Sequence, residues 1–384
     1  MKILFICNYP LDNNKPMGGV ESVIYSLMQA IKKNQEHNFY FLQIISQKSN
    51  KKLYIVKENR VKYYSLPYFN FLYSIIYTKK TIKSIVKDEK IDIINFIGSG
   101  PMLLKLPRKI DVPIVVTQHG VVSQELKYVS LINKPKFIIK TLVDKFYLPK
   151  FRYRIFISEY IKKIVSEQCH YAIIPNPIYV NVPQIEAKKT NVEKRRPEVI
   201  VVGNISRLKN QLLVILALND LLKSGKDFQI KIIGNIKDRD YYKELRTRID
   251  NDENISSRLS IIKGLNRDET LFNIKNADIL LVTSLQENLP MVIGEAMLLS
   301  KIVVAPEIGG IPEMIINNKT GYIYKPNDVK SLCDALSHAL EINQKNEILI
   351  EMAKNWAVQT YSPENVFIKT IDFFKDILDG NKKQ

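Results

Sequence analysis

The chain has 384 residues, 46% of them hydrophobic and 25% charged, with 14 glycines and 17 prolines. These proportions exclude collagen-like, disordered and low-complexity classes, and the length suits two domains of about 150 to 200 residues rather than one small module. The net charge of +18 is unevenly spread: residues 1–185 hold 28 Lys and Arg against 12 Asp and Glu, net +16, and the rest is nearly balanced at 29 against 27. A half so basic seeks a polyanion or an anionic membrane surface.

Short Ile- and Val-rich runs at 3–7, 39–45, 91–96, 114–117, 154–157 and 171–174 read as strands. Amphipathic segments at 20–33, 74–87 and 159–167 lie between them as helices. This alternation predicts a doubly wound α/β domain over residues 1–180. A polar stretch with a proline near each end follows, and 181–197 reads as a linker. The series then restarts, with strands at 199–202, 229–233, 259–262, 279–283, 302–305 and 322–324. Helices at 211–223, 241–249, 268–276, 290–299 and 329–343 separate them, giving a second doubly wound domain over 198–360. The tail, 361–384, contains an amphipathic helix at 363–378 with Pro363 near its start, expected to pack back on the first domain. Three cysteines (Cys7, Cys169, Cys333) without C-x-x-C spacing and four scattered histidines suggest neither a disulfide framework nor a zinc site. No stretch reaches the roughly 20 uncharged apolar residues of a transmembrane helix, and the N-terminus runs straight into a strand, so a cytoplasmic location is expected.

The most specific segment is Ser284-Leu285-Gln286-Glu287-Asn288-Leu289-Pro290-Met291-Val292-Ile293-Gly294-Glu295-Ala296-Met297. It follows a predicted strand and opens a helix with Pro290 at its start, so backbone N–H groups from about Asn288 to Val292 are free to bind an anion such as a diphosphate. Glu287 and Glu295 flank that anion site, and carboxylates beside a phosphate imply hydroxyl partners, those of sugar and ribose. Read singly, each is equally an ordinary helix-start or helical glutamate. Gly203-Asn204-Ile205-Ser206-Arg207-Leu208-Lys209 makes another strand-to-helix turn, whose Arg207 and Lys209 suit a diphosphate leaving group or, more simply, a solvated turn. Gly18-Gly19 after the first strand permits close backbone approach to a ligand but lacks the full G-x-G-x-x-G fingerprint. His119 lies just past a strand's carboxyl end. Asp238-Arg239-Asp240 superficially suggests a metal-binding D-x-D, but it sits on a helix approach.

Together these segments resemble the retaining glycosyltransferases of family 4, the group 1 glycosyltransferases of the GT-B fold. The resemblance covers nearly the whole chain. It rests on Glu287 and Glu295 with seven residues between them, supported by Gly309-Gly310-Ile311-Pro312-Glu313, Ala277-Asp278, Ile174-Pro175-Asn176, Gly18-Gly19-Val20-Glu21 and His119. It implies two Rossmann-like domains with parallel sheets facing a central cleft. It further implies that Glu295 holds the nucleotide ribose, Glu287 a donor-sugar hydroxyl, and the backbone of Asn288, Leu289, Pro290 and Met291 the sugar and diphosphate. Gly18 and Gly19 would approach the diphosphate, Lys263-Gly264-Leu265 the base, and His119 the donor sugar near the reacting carbon. No metal or other cofactor is expected. The family often carries Arg where this chain has Asn204, with Arg207 on the same turn as its expected substitute. Transfer with retention would then use a donor phosphate oxygen to accept the acceptor's proton.

Two stretches of the basic half interleave aromatic or aliphatic residues with lysine: 63–77 with Lys79, Lys80, Lys83 and Lys87 behind it, and 134–140 running on to Lys145, Lys150, Arg152 and Arg154. Apolar anchors among cations suit peripheral attachment to the inner face of an anionic membrane, with a lipid-linked saccharide as acceptor and surface polysaccharide or glycolipid as product. The plain alternative is core residues flanked by a solvated basic face. Nucleic acid is not expected as a partner, because no recognised module is present and the two glutamates would be unexplained. A catalytically weak, membrane-associated protein that retains the fold is the remaining alternative.

Overall fold

The computed structural model describes residues 1–7, 16, 18–43, 54–58, 60–66, 71–107, 109–129, 133–165, 168–181, 196–341 and 344–382. The chain divides into two units, 1–177 with 363–384, and 178–362. Most of the expected linker, residues 182–195, lies outside the described residues.

The first unit contains β1 (Lys2–Cys7), α1 (Gly19–Lys33), β2 (Asn38–Gln43), β3 (Tyr54–Glu58), β4 (Val61–Ser65), α2 (Phe71–Glu89) and β5 (Ile93–Ile97). It continues with β6 (Ile114–Gln118), α3 (Val122–Glu125), α4 (Lys134–Tyr147), β7 (Tyr153–Phe156), α5 (Glu159–Ile164) and β8 (His170–Ile173). Its eight strands run in the order β3-β4-β2-β1-β5-β6-β7-β8, all neighbours parallel except β3 with β4. Each central strand is apolar on both faces, as a sheet covered on both sides requires. Ile3, Phe5 and Cys7 enter a core roofed by α1, and Leu4 and Ile6 enter the opposite core beneath α2. Burial in the first of these pushes the Cys7 thiol far above its ordinary range.

The second unit contains β9 (Glu198–Val202), α6 (Leu212–Lys223), β10 (Gln229–Ile233), α7 (Arg239–Asp250), α8 (Glu253–Ser256), β11 (Leu259–Ile262), α9 (Arg267–Asn276) and β12 (Ile279–Leu281). It continues with α10 (Met291–Leu298), β13 (Ile302–Pro306), α11 (Ile311–Met314), β14 (Tyr322–Tyr324), α12 (Val329–Leu340) and α13 (Gln344–Tyr361). Its sheet is wholly parallel in the order β11-β10-β9-β12-β13-β14. The last helix, α14 (Pro363–Lys382), belongs to the first unit. Phe367, Ile371 and Phe374 fill the core beside α1, Phe367 lies 5.9 Å from Phe39 ring to ring, and Glu364 bonds Lys33 at 2.6 Å.

Several features differ from the sequence expectation, strand β3 and helix α4 among them. Residues 63–65 form the end of strand β4, with Tyr63 and Tyr64 in the cores, so the front of the first aromatic stretch is interior. Arg154, counted with the basic surface, is 1% exposed on β7. Helix α13 was not anticipated, because Gln, Lys, Asn and Glu crowd its first turn and hide its apolar period.

Candidate functional site

In the second unit the strand order reverses between β9 and β12, which lie side by side with Ile279 opposite Val199 and Leu280 opposite Ile200. Open α/β sheets bind ligands beyond the carboxyl ends of the strands at such a point. The two segments leaving those ends are joined by hydrogen bonds of 2.8 Å from Leu285 N–H to the Leu208 carbonyl and from Thr283 Oγ1 to the Lys209 carbonyl. This brings Lys209 Nζ onto Glu287 Oε1, which also accepts from Ser284 Oγ at 2.7 Å. The side chains of Lys209 and Glu287 are 26% and 12% exposed, so the pair sits at the edge of the interior with its polar ends fixed.

Paired glycines back this arrangement. A Cβ on Gly309, whose φ is +55°, would overlap the carbonyl oxygen of Glu287, and one on Gly310 would overlap that of Asn288. Only glycine lets the two backbones lie so close. Gly234 likewise admits the Gly203 carbonyl, and Gly203, at φ +154°, underlies the aliphatic stem of Lys209.

The N–H groups of Asn288, Leu289, Met291 and Val292 donate to no backbone carbonyl among the described residues. They lie where α10 begins, with Pro290 as N-cap, and the buried Asn288 Oδ1 has no partner either. Unspent amides, the positive end of a helix dipole and Lys209 together make a place for an anion. Glu295, one turn into α10, is 6% exposed, with Oε1 2.6 Å from Nη1 of Arg267.

Arg207 departs from expectation. Its guanidinium faces α7, with Nε 3.5 Å from Asp238 Oδ2, Nη1 3.7 Å from Glu244 Oε2, and its carbon 5.7 Å from the Tyr241 ring centre. Two carboxylates and an aromatic face hold it there, and it does not join Lys209 and Glu287 as a substitute for an arginine at 204. Asn204 itself is exposed, its carbonyl accepting from Gln211 Nε2 at 3.0 Å. Asp238 of the D-x-D caps α7, accepting from Tyr241 N–H at 3.0 Å. Among the described residues no group of three or more His, Cys, Asp or Glu is placed to hold a metal ion.

Lys263 is exposed, its Nζ 5.2 Å above the Tyr242 ring. Beside it Gly264, at φ +77°, meets open space, and Leu265 is half-buried. In the first unit Gly18 is the extended N-cap of α1, its carbonyl accepting from Ser22 N–H at 2.9 Å. A Cβ on Gly18 or Gly19 would meet nothing within 4 Å among the described residues. His119 directly follows β6 with both ring nitrogens buried. Burial, partly offset by the Asn176 side chain, lowers its pKa to about 4, which leaves a neutral imidazole at pH 7. Gln118 Oε1 is buried too and has no hydrogen-bond partner among the described residues.

Sequence reading missed Arg267 and the role of Ser284. The i, i+3 spacing of Ser284 and Glu287 is a local signal that was available; Arg267 reaches Glu295 only through the tertiary fold. On the basic surface, α4 has no buried residue, and Ile138, Ile139, Leu142 and Phe146 form an exposed apolar stripe with Lys136 and Lys145 nearby. Leu72, Tyr73 and Ile76 are exposed on α2; Tyr68 and Phe69 lie outside the described residues. Among the described residues no helix is long and apolar enough to cross a membrane.

Two families match the chain: "Glycosyl transferases group 1" over residues 183–356 and "Glycosyltransferase Family 4" over residues 17–182. A trehalose synthase of Thermococcus litoralis is 24% identical over 60% of this chain, and the match spans 57% of that relative's length. An Escherichia coli enzyme named UDP-Gal:alpha-D-GlcNAc-diphosphoundecaprenol alpha-1,3-galactosyltransferase is 23% identical over 77% of each chain. Among solved structures, Anabaena HepE in complex with UDP superimposes with a TM-score of 0.69 at 17% identity, covering 98% of this chain and 100% of that one.

Proposed function

Because the chain belongs to glycosyltransferase family 4, the group 1 glycosyltransferases, and has the GT-B fold, we propose that it moves a sugar from a UDP-sugar to a hydroxyl of a lipid-linked saccharide with retained anomeric configuration. The observation that carries this reading is the Lys209–Glu287–Ser284 cluster at the amino end of α10, beside unspent amides. Lys209 and the amides of Asn288 to Val292 receive the diphosphate, and Glu287 accepts from a donor-sugar hydroxyl. Glu295 takes the ribose, and the Lys263–Leu265 segment meets the base. Leaving-group charge is met by Lys209 and the helix terminus without a metal ion. In this reading, as the family resemblance implies, the acceptor's proton passes to a donor phosphate oxygen on the face of departure.

For the first unit we propose acceptor recognition, with Gly18, Gly19 and His119 in the roles the family resemblance assigns them. The name of the Escherichia coli relative, which combines UDP-Gal with a diphosphoundecaprenol-linked sugar, supports both the donor and the acceptor class. The net charge of the first 185 residues and the apolar stripe of α4 support attachment to the cytoplasmic face of an anionic membrane. A second reading, a weakly active scaffold of the same fold, is favoured by one observation only, the turning of Arg207 toward α7.

The test is turnover of a UDP-sugar panel with a polyprenyl-diphosphate saccharide on anionic vesicles, with chelator present and the product anomer read by NMR. Retained configuration and undiminished turnover in chelator are expected. An inverted product, or dependence on a divalent cation, would refute the mechanism; nucleotide-sugar binding without turnover for any acceptor would favour the scaffold.

A further inference from the structure

Arg267 is the first residue of α9, next to the N-cap Asn266, where a cation opposes the helix dipole. Its guanidinium turns away from its own helix. Nη1 lies 2.6 Å from Glu295 Oε1, and Nη2 donates to the Tyr179 carbonyl at 2.9 Å. The two charged side chains are 10% and 9% exposed. The contact is an ion pair, and neither oxygen of Glu295 accepts a hydrogen bond among the described residues.

The residues around this contact determine where the carboxylate stands. A Cβ on Gly294 would run into Cδ1 of Ile178, so α10 packs tightly on the segment that carries Tyr179. Ile178 N–H in turn donates to the Tyr361 carbonyl at 2.7 Å. Arg267 thus ties Glu295 to a backbone carbonyl that is itself fixed by packing. The guanidinium contacts two groups at once, one oxygen of Glu295 through Nη1 and the Tyr179 carbonyl through Nη2, which the single ammonium of a lysine matches less well.

We propose that Arg267 is a positioning residue for nucleotide recognition: it holds one oxygen of Glu295 and so aims the other at the 2′- and 3′-hydroxyls of the ribose. This rests on the reading above that Glu295 takes the ribose. Arg267 touches no part of the donor itself.

The test is calorimetric titration of the full chain with UDP and with 2′,3′-dideoxy-UDP, which lacks the diol. The wild type is expected to prefer UDP by about tenfold or more, as removal of a hydroxyl from a site built to bind it implies. Glu295→Gln removes that preference. Arg267→Met removes it to the same extent while leaving affinity for the dideoxy ligand unchanged, and Arg267→Lys retains part of it. A thermal melt checks each fold, and if Arg267→Met fails to fold, Arg267→Lys and Arg267→Gln carry the test, each expected to lose part or all of the preference. Full preference in Arg267→Met or in Arg267→Lys/Glu295-intact samples that carry no guanidinium overturns the proposal but spares the ribose reading. Full preference in Glu295→Gln, or no preference in the wild type, overturns both.

Discussion

Helices α10 and α4 are both rich in apolar residues, and they meet opposite fates. Five of the eight residues of α10 are buried; none of the fourteen in α4 is. Around α10 every neighbour is specified: Gly309 and Gly310 admit the backbone before it, Ile178 presses on Gly294, and Arg267 holds Glu295. The stripe of α4 stays 45–61% exposed, while Val143 and Tyr147 of the same helix pack against a core. Apolar residues therefore serve an interior that fixes polar groups in α10 and an exposed stripe in α4, and the glycine backing distinguishes them.

The largest expected effect tests the α10 side. Glu287→Gln keeps the shape and removes the charge that Lys209 and Ser284 engage, and should lower turnover by about two to three orders of magnitude with an unchanged melt. Wild-type turnover in this variant would break the site reading in the second unit. Next come the two glycine pairs, which sharpen the contrast. Gly310→Ala forces a methyl into the Asn288 carbonyl and should cost about 3 kcal/mol by thermal unfolding. Gly19→Ala places its methyl in open space at a helix start and should leave the melt unchanged or slightly raised, so any activity it loses is charged to a ligand.

His119 gives a pH signature of similar size. Its folded pKa, about 4, lies below the unfolded value, so the unfolded chain binds the extra proton between about pH 6.5 and 4. Stability contributed by this group is intact above that window and falls as pH falls through it, by about 3 kcal/mol in all. His119→Gln should flatten that part of the stability profile; an unaltered slope would show an imidazole far less shielded than described. On the α4 side, replacing Ile138, Ile139 and Phe146 by Ser should cut binding to anionic vesicles by about tenfold or more without shifting the melt, since no residue of α4 is buried. A large drop in melting temperature would instead mean that the stripe belongs to a core. The smallest effect is predicted for Arg207→Ala: turnover within about twofold and stability within about 0.5 kcal/mol, as for exposed ion pairs generally.

Strands of the parallel sheets were legible because burial on both faces writes them as unbroken Ile and Val runs, and all six strands of the second unit were located. The hairpin β3–β4 was not, since β3 is an edge strand with one neighbour and charged residues in both strands break the apolar run. The cluster around Glu287 was readable because its residues are close in sequence or sit at the ends of recognisable strands. The direction of Arg207 was not readable: its competitors, Asp238 and Glu244, come from a helix whose proximity is a property of the fold. Glu295 was found by spacing, and Arg267, which no spacing links to it, was not.

Helix α14 has a consequence for synthesis. The core beside α1 is completed by Phe367, Ile371 and Phe374, and these leave the ribosome only after the whole of 178–362 has been made. The amino-terminal unit, begun first, thus receives its last core residues only after the second unit has been made. A stalled or clipped chain short of residue 363 would carry a complete second unit and an unfinished first one, with an apolar seam open to chaperones and proteases.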